Sequence, residues 1–313
     1  MEKIPIGESK LMAGRLAYGC WRLAPSGDFK TDLETTRAAV LAAVDAGYTL
    51  FDHADIYCCG RAETAFGEVL HENPGLRKKM VIATKCGIRC RDEPPGTLQR
   101  YDFSADHIIQ SCDNSLKRLD IDRIDIYQLH RPDWLMDVDE VAMAFTRLHK
   151  CGKVREFGVS NFRPSQLALL QRTLQRSLEQ PLAVHQVEIS LAQREAFTDG
   201  VLDQCQALNL TPLAWSPLAG GLIGDGASQL LPSQKGYQIS ALNAELDEIA
   251  ALHGASRTTV ALAWLLKHPA KIIPIIGSTK PDRIRAAAAA TAVDLTREEW
   301  YRLLVAARGE PMP

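Results

Sequence analysis

The sequence contains no run of 18 apolar residues, so nothing in it predicts a transmembrane helix. Its opening, MEKIPIGESK, lacks the apolar stretch of a secretory signal. Neither sign of charge is in excess: 36 Lys and Arg face 38 Asp and Glu, a formal net charge of −2. No global field therefore draws the chain to nucleic acid or to an anionic membrane. There is no H-E-x-x-H, no His-x-His at the end of the first candidate strand, and no G-x-S-x-G elbow, which disfavours metal hydrolysis and a serine nucleophile. No G-x-G-x-x-G follows the first candidate strand, which disfavours an open-sheet dinucleotide fold. Eight cysteines in 313 residues are too sparse for a disulfide framework. Free thiols in a reducing cytoplasm are the expectation.

What is present is a rhythm. After two short apolar runs around a Gly-Glu-Ser turn, which read as a hairpin, short apolar segments alternate with longer amphipathic ones. The candidate strands are Leu16–Tyr18, Thr49–Asp52, Met80–Lys85, Ile124–His130, Val154–Val159, Ala183–Val187, Thr211–Trp215 and Lys271–Ile275. Candidate helices cover Leu33–Ala46, Ala62–Leu70, Ala105–Leu119, Val138–Lys150, Pro164–Arg176, Glu195–Leu208 and Pro281–Ala289, with further helical turns over 240–268. Strands apolar throughout, alternating with helices, predict a parallel sheet covered on both faces. Eight such units in 313 residues predict one closed (β/α)8 barrel over 1–313. An N-terminal β-hairpin and extra C-terminal helices complete it. Glu93-Pro94-Pro95-Gly96 marks a long loop after the third strand, and Gly220–Tyr237 another after the seventh.

Active sites of such barrels lie at the C-terminal strand ends. Asp52 ends the second strand, Lys85 the third and His130 the fourth; Ser160 and Asn161 follow the fifth, Gln186 ends the sixth, and Trp215 and Ser216 the seventh. Singly, each has another reading: Asp52 as a helix cap, Lys85 as a solvated strand end, His130 as a buried, hydrogen-bonded ring. Together with Tyr57 they suit one chemistry. A phenol of pKa about 10 is a poor acid at neutral pH. A nearby ammonium would lower that pKa, a carboxylate would hold the ammonium, and a neutral imidazole could orient a carbonyl oxygen. Asp52-His53-Ala54-Asp55 could alternatively be metal ligands, but the pairs Cys58/Cys59 and Cys86/Cys90 lack the matching second pair of a zinc site. Cys58, next to Tyr57, is either an oxidation-sensitive thiol or a small buried filler.

The strings FDHADIY, ATKCGI, DIYQLHRPD, GKVREFGVSNF, HQVEIS and LAWSPLAGGL, in this order and spacing, resemble the aldo-keto reductase signatures. The resemblance covers almost the whole chain, from about Leu11 to Ala289, and GIRCRDEPPG is most like bacterial members. It implies a TIM barrel that reduces aldehydes or ketones with NADPH. Asp52, Tyr57, Lys85 and His130 match the family's catalytic tetrad, with Tyr57 as general acid. Ser160, Asn161 and Gln186 match the residues that bind the nicotinamide carboxamide, and Trp215 the aromatic that stacks on its ring. Ser216, Leu218 and Gly221 match the loop over the pyrophosphate. The backbone of Gly19, Cys20 and Trp21 is expected beside the nicotinamide ribose, with the Trp21 indole facing substrate. Gly277, Ser278, Lys280 and Arg283 match the adenosine grip, and the last two place positive charge for a 2′-phosphate, favouring NADP. Where the family often has Glu-Asn, this chain has Ala286 and Ala287. The resemblance extends to potassium-channel β subunits, so a cofactor-binding regulatory or redox-sensing protein with little turnover is the alternative. The expected partner is a small carbonyl compound, with no nucleic acid, no membrane and a monomeric state.

Overall fold

The computed structural model describes residues 1–178, 180–226 and 239–313. A hairpin opens the chain: β1 (Lys3–Pro5) pairs antiparallel with β2 (Met12–Gly14). Next come β3 (Ala17–Gly19), β4 (Leu50–Asp52) and β5 (Val81–Cys86). A second hairpin, β6 (Ile88–Arg89) with β7 (Arg100–Tyr101), stands in what the sequence reads as plain loop. Then follow β8 (Ile124–Leu129), β9 (Val154–Ser160), β10 (Val184–Glu188), β11 (Thr211–Trp215) and β12 (Ile273–Ile276). Eight parallel strands, β3, β4, β5, β8, β9, β10, β11 and β12, close into a barrel in which β12 returns to β3. Burial agrees with this arrangement: β3, β4, β5, β8 and β12 bury every residue, as strands of a parallel sheet covered on both faces do.

Helices cover the outside: α1 (Phe29–Asp45), α2 (Arg61–Glu72), α3 (Ala105–Leu119), α4 (Val138–Lys150), α5 (Pro164–Ser177) and α6 (Val201–Ala207). After them come α7 (Ser240–Leu252), α8 (Arg257–Leu266), α9 (Pro281–Ala288) and α10 (Arg297–Arg308). The sequence predicts one helix over Glu195–Leu208; the structure breaks it into a short turn, Glu195–Phe197, and α6. The cause is local. Gly200 takes a left-handed φ of 86°, and the Asp199 carboxylate accepts the Val201 N–H at 2.9 Å, which starts a new helix. The C-terminal helices are tied to the body by Trp264 of α8 and Trp300 of α10, stacked at 4.8 Å. Each indole N–H donates to the other residue's carbonyl, at 3.1 and 3.0 Å.

The hairpin plugs the N-terminal end of the barrel. Ile4, Ile6 and Leu11 pack with Leu50, Val81, Ile126, Val184, Leu213 and Ile273 inside it. Within the hairpin turn, the Gly7 N–H donates to Thr211 Oγ1 at 2.8 Å. A Cβ on Gly7 would lie 2.8 Å from the Ala183 carbonyl oxygen, so this approach requires glycine. With one end plugged, the C-terminal mouth is left for a site. Of the expected loop over 220–237, residues 227–237 lie outside the described ones. No single helix among the described residues is long and apolar enough to cross a membrane.

Candidate active site

At the mouth, the side chain of Lys85 is fully buried, so it is not the solvated strand end that its type suggests. A buried ammonium needs an acceptor for each of its three N–H groups. Lys85 Nζ has them: Asp52 Oδ2 at 2.7 Å, the His53 carbonyl at 2.7 Å and the Tyr57 hydroxyl at 3.1 Å. Asp52 is also held from its other oxygen, where Oδ1 accepts from Gln186 Nε2 at 2.8 Å. The Tyr57 oxygen accepts from Lys85, which leaves its own O–H to point elsewhere, and Tyr57 lines the cavity described below. His130 follows directly on β8, its ring 6.0 Å from that of Tyr57 and nearly perpendicular to it.

The electrostatics depart from expectation in sign. Burial pushes the Tyr57 phenol above its ordinary pKa, Asp52 and Cys20 add to this, and Lys85 only pulls part of it back. The reason is burial of the phenol, which outweighs the lowering by Lys85 that Asp52 partly offsets. Tyr57 is therefore protonated at neutral pH, the state a proton donor needs. Burial pulls the Lys85 pKa down, but Asp52 and Tyr57 more than restore it, so the ammonium stays charged. Burial, reinforced by Lys85 and Arg131, holds the His130 imidazole well below its ordinary value, hence neutral. A neutral imidazole and a protonated phenol facing one cavity can both donate hydrogen bonds to an oxygen atom.

That cavity, of about 710 Å³, is lined by Gly19, Trp21, Asp52, Tyr57, His130, Ser160, Asn161, Gln186, Trp215, Ser216, Leu218 and Gly221. It runs on to Gly277, Ser278, Lys280 and Arg283. Cys20 and Lys85 do not line it; the Cys20 side chain packs into the core, between two residues that do line it. Asn161 organises the floor: Nδ2 donates to the His130 carbonyl at 3.1 Å and to Ser160 Oγ at 2.8 Å, while Oδ1 accepts the Trp215 indole N–H at 3.0 Å. Gly19 is required where β3 meets β12, because a Cβ there would lie 2.8 Å from Ile275 Cγ2.

The distal end suits a nucleotide. Lys280 stands at the N-cap position of α9 and Pro281 opens the helix, so the positive end of its dipole lies at this part of the cavity. Arg283 lies against Gly226, where a Cβ would come within 2.8 Å of its Nη1. Ala286 and Ala287 also line the cavity and offer only methyl groups there. The donor set and the cavity size fit a dinucleotide.

Residues that motif reading passed over also line it. Arg22 sits 4.9 Å over the Trp21 ring and donates to the Gly277 carbonyl at 3.1 Å, bridging the two ends. Arg131 lies 5.4 Å over the Trp215 ring, a cation–π contact that adjacency to His130 would have suggested. Asp225 and Thr258 join them, with no sequence signal to find them.

The chain matches the model of the Aldo/keto reductase family over residues 15–306. It belongs to that family. It is similar to a 6-dehydroglucose reductase of Novosphingobium aromaticivorans, 43% identical over 98% of this chain and 96% of that one. Oxidoreductase YdhF of Escherichia coli is 41% identical over the full length of both chains. A 6-dehydroglucose reductase of Agrobacterium fabrum is 38% identical over 99% of each. As an aldo/keto reductase, the protein is an oxidoreductase by kind.

Two other readings of the site residues meet the geometry here. Asp52-His53-Ala54-Asp55 is no ligand set: Asp52 is bound to Lys85, and the His53 ring packs edge-on against Phe66 at 4.5 Å. No cluster of three or more His, Cys, Asp or Glu suited to a metal occurs among the described residues. Cys58 donates its S–H to the Leu23 carbonyl at 3.1 Å, and burial pushes its thiol up, away from the reactive thiolate.

Proposed function

We propose that this protein reduces the carbonyl group of an aldehyde or ketone to an alcohol, with NADPH as cofactor. The observation that carries this reading is the Tyr57 hydroxyl, which accepts from a fully buried Lys85 and opens beside a neutral His130. When bound, NADPH supplies the hydride. The Gln186 Oε1 acceptor and the Ser160 hydroxyl would hold the carboxamide, because Gln186 Nε2 is already committed to Asp52. Asn161 would act mainly by fixing the Trp215 indole and the His130 backbone. Lys280 and Arg283 would receive the 2′-phosphate, which makes NADH the poorer cofactor.

Tyr57 and His130 donate hydrogen bonds to the substrate oxygen. As negative charge grows on it, Tyr57 gives up its proton, and Lys85, held by Asp52, stabilises the phenolate that remains. Residues 1–313 act as one domain and a monomer in this proposal. Two relatives carry the name 6-dehydroglucose reductase, so a sugar-derived aldehyde is the first substrate to try.

The test is NADPH consumption with 6-dehydroglucose, aromatic aldehydes, methylglyoxal and quinones, run beside NADH. Tyr57→Phe is expected to lose about 10²–10⁴-fold in turnover while still binding NADPH, read by tryptophan quenching. Near-normal rates in Tyr57→Phe would remove Tyr57 as the acid. Binding with no turnover of any carbonyl would favour a regulatory role.

A further inference from the structure

A second cavity, of about 410 Å³, shares Ile56 and Ile88 with the active site. One wall is α3, which turns His107, Gln110, Ser111, Asn114 and Arg118 toward it. Spacings of three and four residues put these on one helical face. Here His107 and Ser111 are buried and Gln110 and Asn114 exposed, and the stripe borders a concavity whose other walls include Asp55 and Arg89. Asp55 Oδ1 is buried there without a hydrogen-bond partner.

Charge decides what the groove would accept. Arg89 is neutralised by Asp102 at 3.0 Å and Arg118 by Glu63 at 2.7 Å. Burial, with Glu63 and Glu93 against the opposing Arg118, pushes the Asp55 carboxyl up to about 8, so it is uncharged at neutral pH. His107 is held below its ordinary value, first by burial and then by Arg89, and is neutral as well. The wall is thus dense in donors and acceptors yet has little net charge. An anion would meet Glu93 and find both arginines already paired. An apolar molecule would leave Asp55 and the amides of Gln110 and Asn114 unpaired, while His107 and Ser111 already meet each other at 3.5 Å. The volume lies within the range of small-molecule pockets, about 300–1,000 Å³.

We propose that this groove is a second binding site, taking a small neutral polyhydroxylated molecule whose hydroxyls pair with Asp55 and with the polar face of α3. It stands apart from carbonyl reduction and does not depend on it.

Saturation-transfer NMR on the full chain, with D-glucose and myo-inositol as probes, tests this. Gln110 and Asn114 are exposed on α3, so Gln110→Trp and Asn114→Trp can fill the groove without disturbing the core. Transfer to at least one polyol is expected in the wild type, with affinity falling tenfold or more in both variants while NADPH binding stays unchanged. The proposal is overturned if neither polyol receives transfer from the wild type. Undiminished transfer in the two variants would equally overturn it, by placing the polyol in the active-site cavity.

Discussion

Lys85 shows how one buried residue binds several roles together. All three of its N–H groups are used, and Asp52 balances its charge at 2.7 Å. Lys85→Met strands a buried carboxylate beside Gln186. The expected loss is about 3–5 kcal/mol in urea unfolding, with part of it recovered when Asp52→Asn is added. No recovery in the double variant would mean that the pair is not the source of the loss. Asp55 makes a pH prediction. Its folded pKa, about 8, lies above its ordinary value of about 4, so the folded chain holds this proton more tightly than the unfolded one. That contribution is intact below about pH 4 and is lost as pH rises to about 8. Asp55→Asn should therefore melt above the wild type at pH 9, with the advantage gone at pH 4. Equal melting at pH 9 would show that Asp55 ionises as an ordinary carboxyl. Asp52 was legible as a strand end, and Lys85 and Gln186 lie one and two residues short of theirs, but the bond between Gln186 and Asp52 was not legible, since 134 residues separate them.

Among the elements, the segment after β11 is fastened from a distance. Asp225 accepts the N–H groups of Arg257 and Thr258 at 3.2 and 3.1 Å, and its own N–H donates to Thr258 Oγ1 at 3.0 Å. The residues that line the cavity from Ser216 to Gly226 are thereby anchored to the first turn of α8. Asp225→Ala removes acceptors from a helix N-terminus, a cost of about 1 kcal/mol, and frees one side of the cavity. Fluorescence titration should show NADPH binding weakened about tenfold, with the tetrad geometry untouched. Unchanged affinity would show that this anchor does not serve the cofactor. Leu218 and Gly221 could be read from their motif, whereas Asp225 acts through partners about 30 residues downstream that local pattern does not connect. The same limit hid the β6–β7 hairpin, because two-residue strands carry no periodicity.

For the molecule as a whole, α10 is the last helix along the chain and is held to α8 through two tryptophans. Trp264 is fully buried and is joined to Trp300 by stacking and two hydrogen bonds. Trp264→Ala should cost about 3–5 kcal/mol in denaturant unfolding and loosen α10, yet leave turnover at low temperature close to normal. Turnover lost in step with stability would instead tie the C-terminal helices to the chemistry. The amino-acid sequence by itself determined the barrel and the mouth at which Asp52, Lys85, His130, Ser160, Gln186 and Trp215 meet. Apolar strands of this length leave few packings, and parallel strands all end on the same face. Only the tertiary structure decided that the Tyr57 phenol shifts up and not down, that Gln186 spends its N–H on Asp52, and that a polar face of α3 encloses a second groove. Those outcomes depend on how far water is excluded and on distances between residues far apart in the chain, and neither quantity exists before the barrel closes.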